Sequence, residues 1–377
     1  MTEAPALSVP RGGVWRVHGL SLSYFTGKIE AYLRAKGQPY TLIEMSAADL
    51  RACAAATGVA WMPQIETPDG WLTDSPRIIE HLEGLRPHPA ITPTDAASAF
   101  IAGLIEDFGD EQLWRPALYY RWAHAEDARL RGDQIATAML GALPIPRLVK
   151  RALVIARQRR TYLAGDGVTA ANAAAVRQEY LDILGSLEPV LASRPFVMGE
   201  RPTEADFGLF GGLFRHFAQD PTPCAIMAER APSVLAWTTR LWALKPDDFS
   251  AAVQPSGLPQ GLERFALAVT TRFLPMMSAH EAAWISGDRF ARFSHFGAAF
   301  ETPVSPYRVW RLARLRLRFK ALDATARAQV IGWLDDPSAT ALLDQAPAGP
   351  PPPQPLSLPI VAGERPSRPR DRQWRRA

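Results

Sequence analysis

The sequence predicts a small α/β domain followed by a long all-α region. Residues 14–85 alternate short apolar runs with helical periodicity and include one strong hairpin turn. Beyond Pro93 the texture changes to long Ala/Leu/Arg-rich segments without convincing strands, and no internal repeat is visible. A chain of 377 residues, at about 150 per domain, predicts two or three domains. With 47% hydrophobic residues it can bury more than one sizeable core.

Taken in order, residues 1–13, with Pro5, Pro10 and Gly12-Gly13, read as a flexible leader. Residues 14–20 form an apolar run ending in a Ser-rich turn, a buried strand. Residues 28–36 set Ile29 and Leu33 on one helical face, and Gly37 stops the helix. Residues 40–45 read as a second strand, followed by a connection. Gln64 to Thr67 and Trp71-Leu72 flank Pro68-Asp69-Gly70, a hairpin. Ser75 then offers an N-cap, Pro76 suits the first helical position, and Ile78, Ile79 and Leu82 supply the buried stripe. In the all-α region, residues 96–122, 170–191 and 203–217 are the clearest helices. The last carries Phe207, Phe210, Phe214 and Phe217 as a stripe behind a capping box formed by Thr203 and Asp206. Residues 251–346 are expected to form a mostly helical extension. Within it, residues 308–320 hold six Lys/Arg and no acid. Their alternation of Leu with Arg has a strand's period, but Leu, Arg and Ala favour helix. A helix with a solvated basic face, packed through its leucines, is therefore expected. Nine prolines between Pro347 and Pro369 predict an extended, disordered tail over residues 347–377.

The formal net charge is +4, too mild to imply nucleic acid, and its excess lies in the C-terminal residues 301–377. Two cysteines, Cys53 and Cys224, make neither a disulfide framework nor a Cys-based metal site. No apolar run reaches the roughly 18 residues that span a bilayer. Residues 1–11 lack the basic and apolar regions of a secretory signal, so a cytoplasmic location is expected.

The stretch from His18 to Lys28 brings a strand end, a polar loop and a helix start together. Such a helix start offers N–H groups and a positive dipole end, able to hold an anion or to lower a thiol's pKa. Residues 14–85 resemble the thioredoxin-like N-terminal half of a glutathione S-transferase. The resemblance rests on Ser23 through Gly37, Met62-Pro63, the Pro68-Asp69-Gly70 hairpin and Asp74-Ser75 opening a helix; Thr203 to Asp206 resembles the capping motif of the family's helical half. It implies a thioredoxin-like domain over residues 14–90 and an all-α transferase domain over residues 91–250. It also implies that Ser23, or alternatively Tyr24, donates a hydroxyl hydrogen to the glutathione thiolate. A cis Met62-Pro63 bond would let Met62 and Pro63 present backbone to the tripeptide, and Asp74 and Ser75 would bind its γ-glutamyl end.

Ser23 and Thr26 stand where thiol–disulfide relatives carry cysteines, which leaves addition or substitution by glutathione on an electrophile. The helix over residues 96–122 would border the second substrate, with Trp114 and Tyr119 as pocket candidates. Its four carboxylates, Glu106, Asp107, Asp110 and Glu111, read as a solvated face rather than a metal site. The expected activity is conjugation of glutathione to an apolar electrophile by a homodimer, with glutathione as substrate and no metal. The alternative is a non-catalytic glutathione-binding or scaffold protein of the same fold. A nucleic-acid role for the basic tail ranks last.

Overall fold

The computed structural model describes residues 13–348 and 358–360. The expected leader, up to residue 12, and most of the expected tail lie outside the described residues. The N-terminal domain runs β1 (Trp15–Gly19), α1 (Tyr24–Ala35), β2 (Tyr40–Glu44), α2 (Ala47–Thr57), β3 (Gln64–Thr67), β4 (Gly70–Thr73) and α3 (Ser75–Leu85). The sheet order is β2-β1-β3-β4, with β1 parallel to β2 and antiparallel to β3. This is the thioredoxin-like arrangement. Helix α2 occupies what the sequence reads as a plain connection. Its signal is a capping box in which Ser46 accepts from the Asp49 N–H while Asp49 accepts from the Ser46 N–H at 2.9 Å. Ser75 does not cap α3 but is its first residue, and Asp74 holds the cap position.

The helical domain follows as α4 (Ala96–Glu111), α5 (Trp114–Ala123), α6 (Ala125–Leu140), α7 (Arg147–Gln158), α8 (Ala173–Ser193), α9 (Glu204–Gly212), α10 (Pro221–Arg230) and α11 (Pro232–Ala243). The single helix expected over residues 96–122 is two helices, broken at Gln112-Leu113. Helices α4 and α9 touch backbone to backbone: a Cβ on Gly109 would lie 2.5 Å from the Gly208 carbonyl. The Thr203 N–H donates to Asp206 at 2.9 Å, and Asp206 also accepts from the Val197 N–H and Trp237 Nε1. That carboxylate fixes the start of α9 in the core.

The extension contains α12 (Glu263–Ala268), α13 (Leu274–Ser286), β5 (Phe290–His295), β6 (Ala298–Pro303), α14 (Pro306–Lys320), α15 (Ala324–Leu334) and α16 (Pro337–Asp344). A mostly helical extension was expected; it also holds the β5–β6 hairpin, which the sequence reading did not place. Its turn uses Phe296 and Gly297, both at positive φ (49° and 73°). A bulky residue rarely adopts that conformation, so the usual Asn-Gly hairpin signal is missing from the sequence. One continuous apolar cluster runs from Trp15 through the helical domain to Leu343, so the extension shares the core of the two domains before it. Within the expected tail, Ile360 pairs with Trp71 on the β4 edge through backbone hydrogen bonds of 2.8 and 2.9 Å.

His295 joins the hairpin to the helices. Its Nε2–H faces the Arg272 carbonyl at 3.1 Å, and its Nδ1 faces the Gln112 side-chain amide at 3.3 Å. Burial, with Arg115 nearby, pushes its pKa down to about 3. The neutral ring therefore contributes stability that is full above its unfolded value of about 6.5 and is lost as pH falls toward about 3. Thermal melts between about pH 7 and about pH 4 should show a fall in Tm for the wild type that is shallower in His295→Gln.

Candidate functional site

Strand register gathers the expected site residues at one end of the sheet. His18 lies opposite Gln64, and Gln64 opposite Thr73. The chain thus leaves β1 toward Ser23, enters β3 from Met62-Pro63 and leaves β4 into Asp74-Ser75, all at the same edge. The Met62–Pro63 peptide is cis.

Ser23 caps α1 from an extended conformation (φ −80°, ψ 137°), yet its side chain makes no capping hydrogen bond. The half-buried hydroxyl is not spent on the helix. Its loop is held from both sides. The Ser23 N–H donates to the Leu20 carbonyl at 2.8 Å, and the Arg121 guanidinium donates to the Leu22 carbonyl at 2.9 Å while bonding Asp220 at 2.8 and 3.1 Å. Tyr24, the alternative donor, points into the core instead. Its hydroxyl donates to the Gly109 carbonyl at 2.5 Å, and its ring lies so close to Gly211 and Gly212 that a Cβ on either would meet it at 2.7 Å. Burial, reinforced by Asp110 and Glu111, holds the phenol well above its ordinary pKa.

Met62 is half-buried against an apolar cluster built on Leu20, Leu22, Leu118 and Trp122. Trp114 belongs to the same neighbourhood and stacks on Phe25 with ring centroids 5.6 Å apart. Tyr119 is engaged elsewhere: its hydroxyl accepts from Arg177 on α8 at 2.8 Å, and its ring meets His124 edge-on.

Asp74 has φ 73° and ψ 103°, a strained conformation for a non-glycine residue, of a kind that clusters at functional sites. It is 8% exposed and the adjacent Ser75 5%. One Asp74 oxygen, Oδ1, accepts from the Tyr307 hydroxyl at 2.9 Å, and the other, Oδ2, is buried without a hydrogen-bond partner among the described residues. Burial raises the Asp74 pKa, against the pull of Arg311 and the Tyr307 hydrogen bond. Tyr307 and Arg311 come from α14. No local signal ties residues so distant in sequence to Asp74, and sequence reasoning missed them, as it missed Arg121.

The acidic face of α4 is not solvated, as the sequence suggests, but buried and matched with cations. Lys28 of α1, fully enclosed, bonds Glu106 at 2.8 Å and Asp110 at 2.7 Å. Arg311 bonds Asp107, and Arg308 bonds Glu111 at 3.0 Å. The basic stretch of the extension is the helix expected, but its arginines turn inward: Arg308, Arg311 and Arg316 are buried, while Leu317 is 58% exposed. Arg316 pairs with Glu281 at 2.6 Å. The reason is complementarity, since Arg308 and Arg311 share a helical face and meet acids on α4. Burial pushes Asp110 up to about 8 despite Lys28, while Lys28 and Arg311 carry Glu106 below the usual carboxylate range against the same burial.

Two families of known domains match the chain in order: the glutathione S-transferase N-terminal domain over residues 17–90 and the glutathione S-transferase C-terminal domain over residues 168–245. The chain belongs to the glutathione S-transferase superfamily. No curated protein matches it significantly. Among solved structures, a GST-like protein from Pseudomonas syringae is 18% identical, with 60% of this chain and 66% of that one covered at a TM-score of 0.40. A glutathione S-transferase from Rhodospirillum rubrum is 17% identical, with 67% and 99% covered and a TM-score of 0.41. A glutathione S-transferase from Methylobacterium radiotolerans, in complex with glutathione sulfonate, is 17% identical, with 65% and 97% covered and a TM-score of 0.37. Likenesses this distant say nothing of what this chain binds.

Removing Arg311 strands the buried Asp107 carboxylate. Arg311→Met should lower the unfolding free energy in urea by about 3 kcal/mol. Arg314→Met, whose partner Glu80 is mostly exposed, should cost less than about 1 kcal/mol.

Proposed function

We propose that this transferase-fold chain binds glutathione and joins its sulfur to an apolar electrophile. The observation that carries the reading is Asp74: a strained, buried carboxylate with one oxygen unpartnered, at the sheet end where Ser23 and Met62 also stand. A buried acceptor without a partner is costly, and the γ-glutamyl ammonium of glutathione would supply one. Met62 would offer its backbone to the extended tripeptide, and Ser75, at the start of α3, its N–H to the γ-glutamyl carboxylate. The Ser23 hydroxyl, uncommitted to capping, would donate to the sulfur. A free thiol with a pKa of about 8.5 is mostly protonated at neutral pH; one hydroxyl donor and the start of α1 shift it toward thiolate, its proton passing to solvent. The sulfur lone pair then forms a bond to the electrophilic carbon. In substitution the leaving group departs with its bonding pair; in addition the pair moves along the double bond and is protonated. Trp114 and the apolar cluster beside Met62 would receive the electrophile. A homodimer and a cytoplasmic location complete the proposal.

A second reading, a glutathione-binding or scaffold protein without catalysis, is favoured by Tyr307. Its hydroxyl already occupies one oxygen of the carboxylate proposed to anchor the ligand.

Titration calorimetry with reduced glutathione should show binding by the wild type and loss of at least about tenfold in affinity for Asp74→Ala, the effect of one charged hydrogen bond. No heat with the wild type would reject the ligand. Ser23→Ala should keep glutathione affinity and lower conjugation of a model electrophile at least about tenfold; unchanged turnover would reject the role of Ser23, and no turnover by the wild type across several electrophile classes would select the scaffold reading. In the same calorimeter, Tyr307→Phe should tighten glutathione if the hydroxyl competes for Asp74 and weaken it if the hydroxyl orients the carboxylate.

A further inference from the structure

Helix α7 faces the wrong way for a helix of a self-contained protein. Toward the molecule it buries Val154, with half-buried Ile155 packed on the same apolar cluster. On its outer side Leu148 is 64% exposed, Leu153 53% and Val149 46%, with Leu143 at 48% in the turn before it. Ala152 and Ala156 fill the gaps between them, so an apolar strip runs along the solvent side, opposite Val154. The margins of the strip are basic. Residues 134–165 contain six Lys/Arg and no Asp or Glu. Arg147 and Arg151 are paired with Asp133 of α6, and Arg159 donates to the Trp122 carbonyl, while Arg157 and Arg160 are exposed on α7 and the turn that follows it. Helix α7 lies between the two segments that match the transferase domains.

We propose that this face docks on an anionic lipid bilayer, with α7 lying in the plane of the headgroups. An amphipathic helix with leucine and valine on one side and arginine and lysine along its borders suits that interface: the apolar side chains enter the acyl boundary and the cations meet lipid phosphates. The long arginine stems lie along the apolar strip while their heads reach the headgroups. Charge decides against a second copy of the chain as occupant. Two-fold packing of α7 on itself would set Lys150 and Arg157 of the two copies on one interface, with no acid in residues 134–165 to offset them. The apolar strip decides against nucleic acid, which needs the cations but not the leucines.

Flotation of the full chain with lipid vesicles tests this. Vesicles of roughly 30% phosphatidylserine in phosphatidylcholine should bind the chain at least about tenfold more than phosphatidylcholine alone, and about 0.5 M salt should weaken binding without abolishing it. The double variant Leu148→Ser/Leu153→Ser, which alters only exposed positions and should melt as the wild type does, should lose at least about tenfold of the binding. Equal binding to neutral and anionic vesicles, no binding to either, or binding unaffected by the double variant would each overturn the proposal. So would a change from dimer to monomer in that variant without vesicle binding by the wild type, which would assign the face to a second copy.

Discussion

Burying the carboxylates of α4 is the constraint on which the rest of this structure depends. Four acids on one short helical face cannot enter a protein interior unless each meets a cation or a proton. The chain supplies the cations, Lys28 from the first helix and Arg308 and Arg311 from the extension, while burial raises the Asp110 pKa. Because the cations come from opposite ends of the chain, the acidic face joins the thioredoxin-like domain, the helical domain and the extension around one helix. The shared apolar cluster has the same reach. The extension is therefore part of the core, not an appendage beside it.

That arrangement places α14 over the start of α3. Arg311 on Asp107 and Arg308 on Glu111 fix the helix, and Tyr307, one residue before Arg308, then reaches the Asp74 carboxylate. In the proposed function Asp74 is the anchor for the γ-glutamyl end, so the extension touches the ligand site through the residue that defines it. The opposite end of that site is held separately, by Arg121 on the Leu22 carbonyl with Asp220 behind it. Both ends are positioned by buried arginines whose own partners lie in the helical half. Such pairs are weak sources of net stability but strong constraints on geometry, since removing either partner leaves an unpaired charge in the interior.

The sequence by itself determined the fold class, the sheet-end loop before α1, the hairpin between β3 and β4, the capping motif of α9 and the helix over the basic stretch. All of these rest on local signals: periodicity, turn chemistry and caps act between residues a few positions apart. Where the local signal was weak, the sequence fell short, as in the Phe296-Gly297 turn of the β5–β6 hairpin, which lacks the usual turn residues. Only the tertiary structure decided which charged faces are buried, that Tyr24 turns inward to Gly109, and that Tyr307 meets Asp74. Those outcomes depend on which helices meet: an acidic stripe and a basic stripe each look solvated alone, and become interior only when folding brings them together.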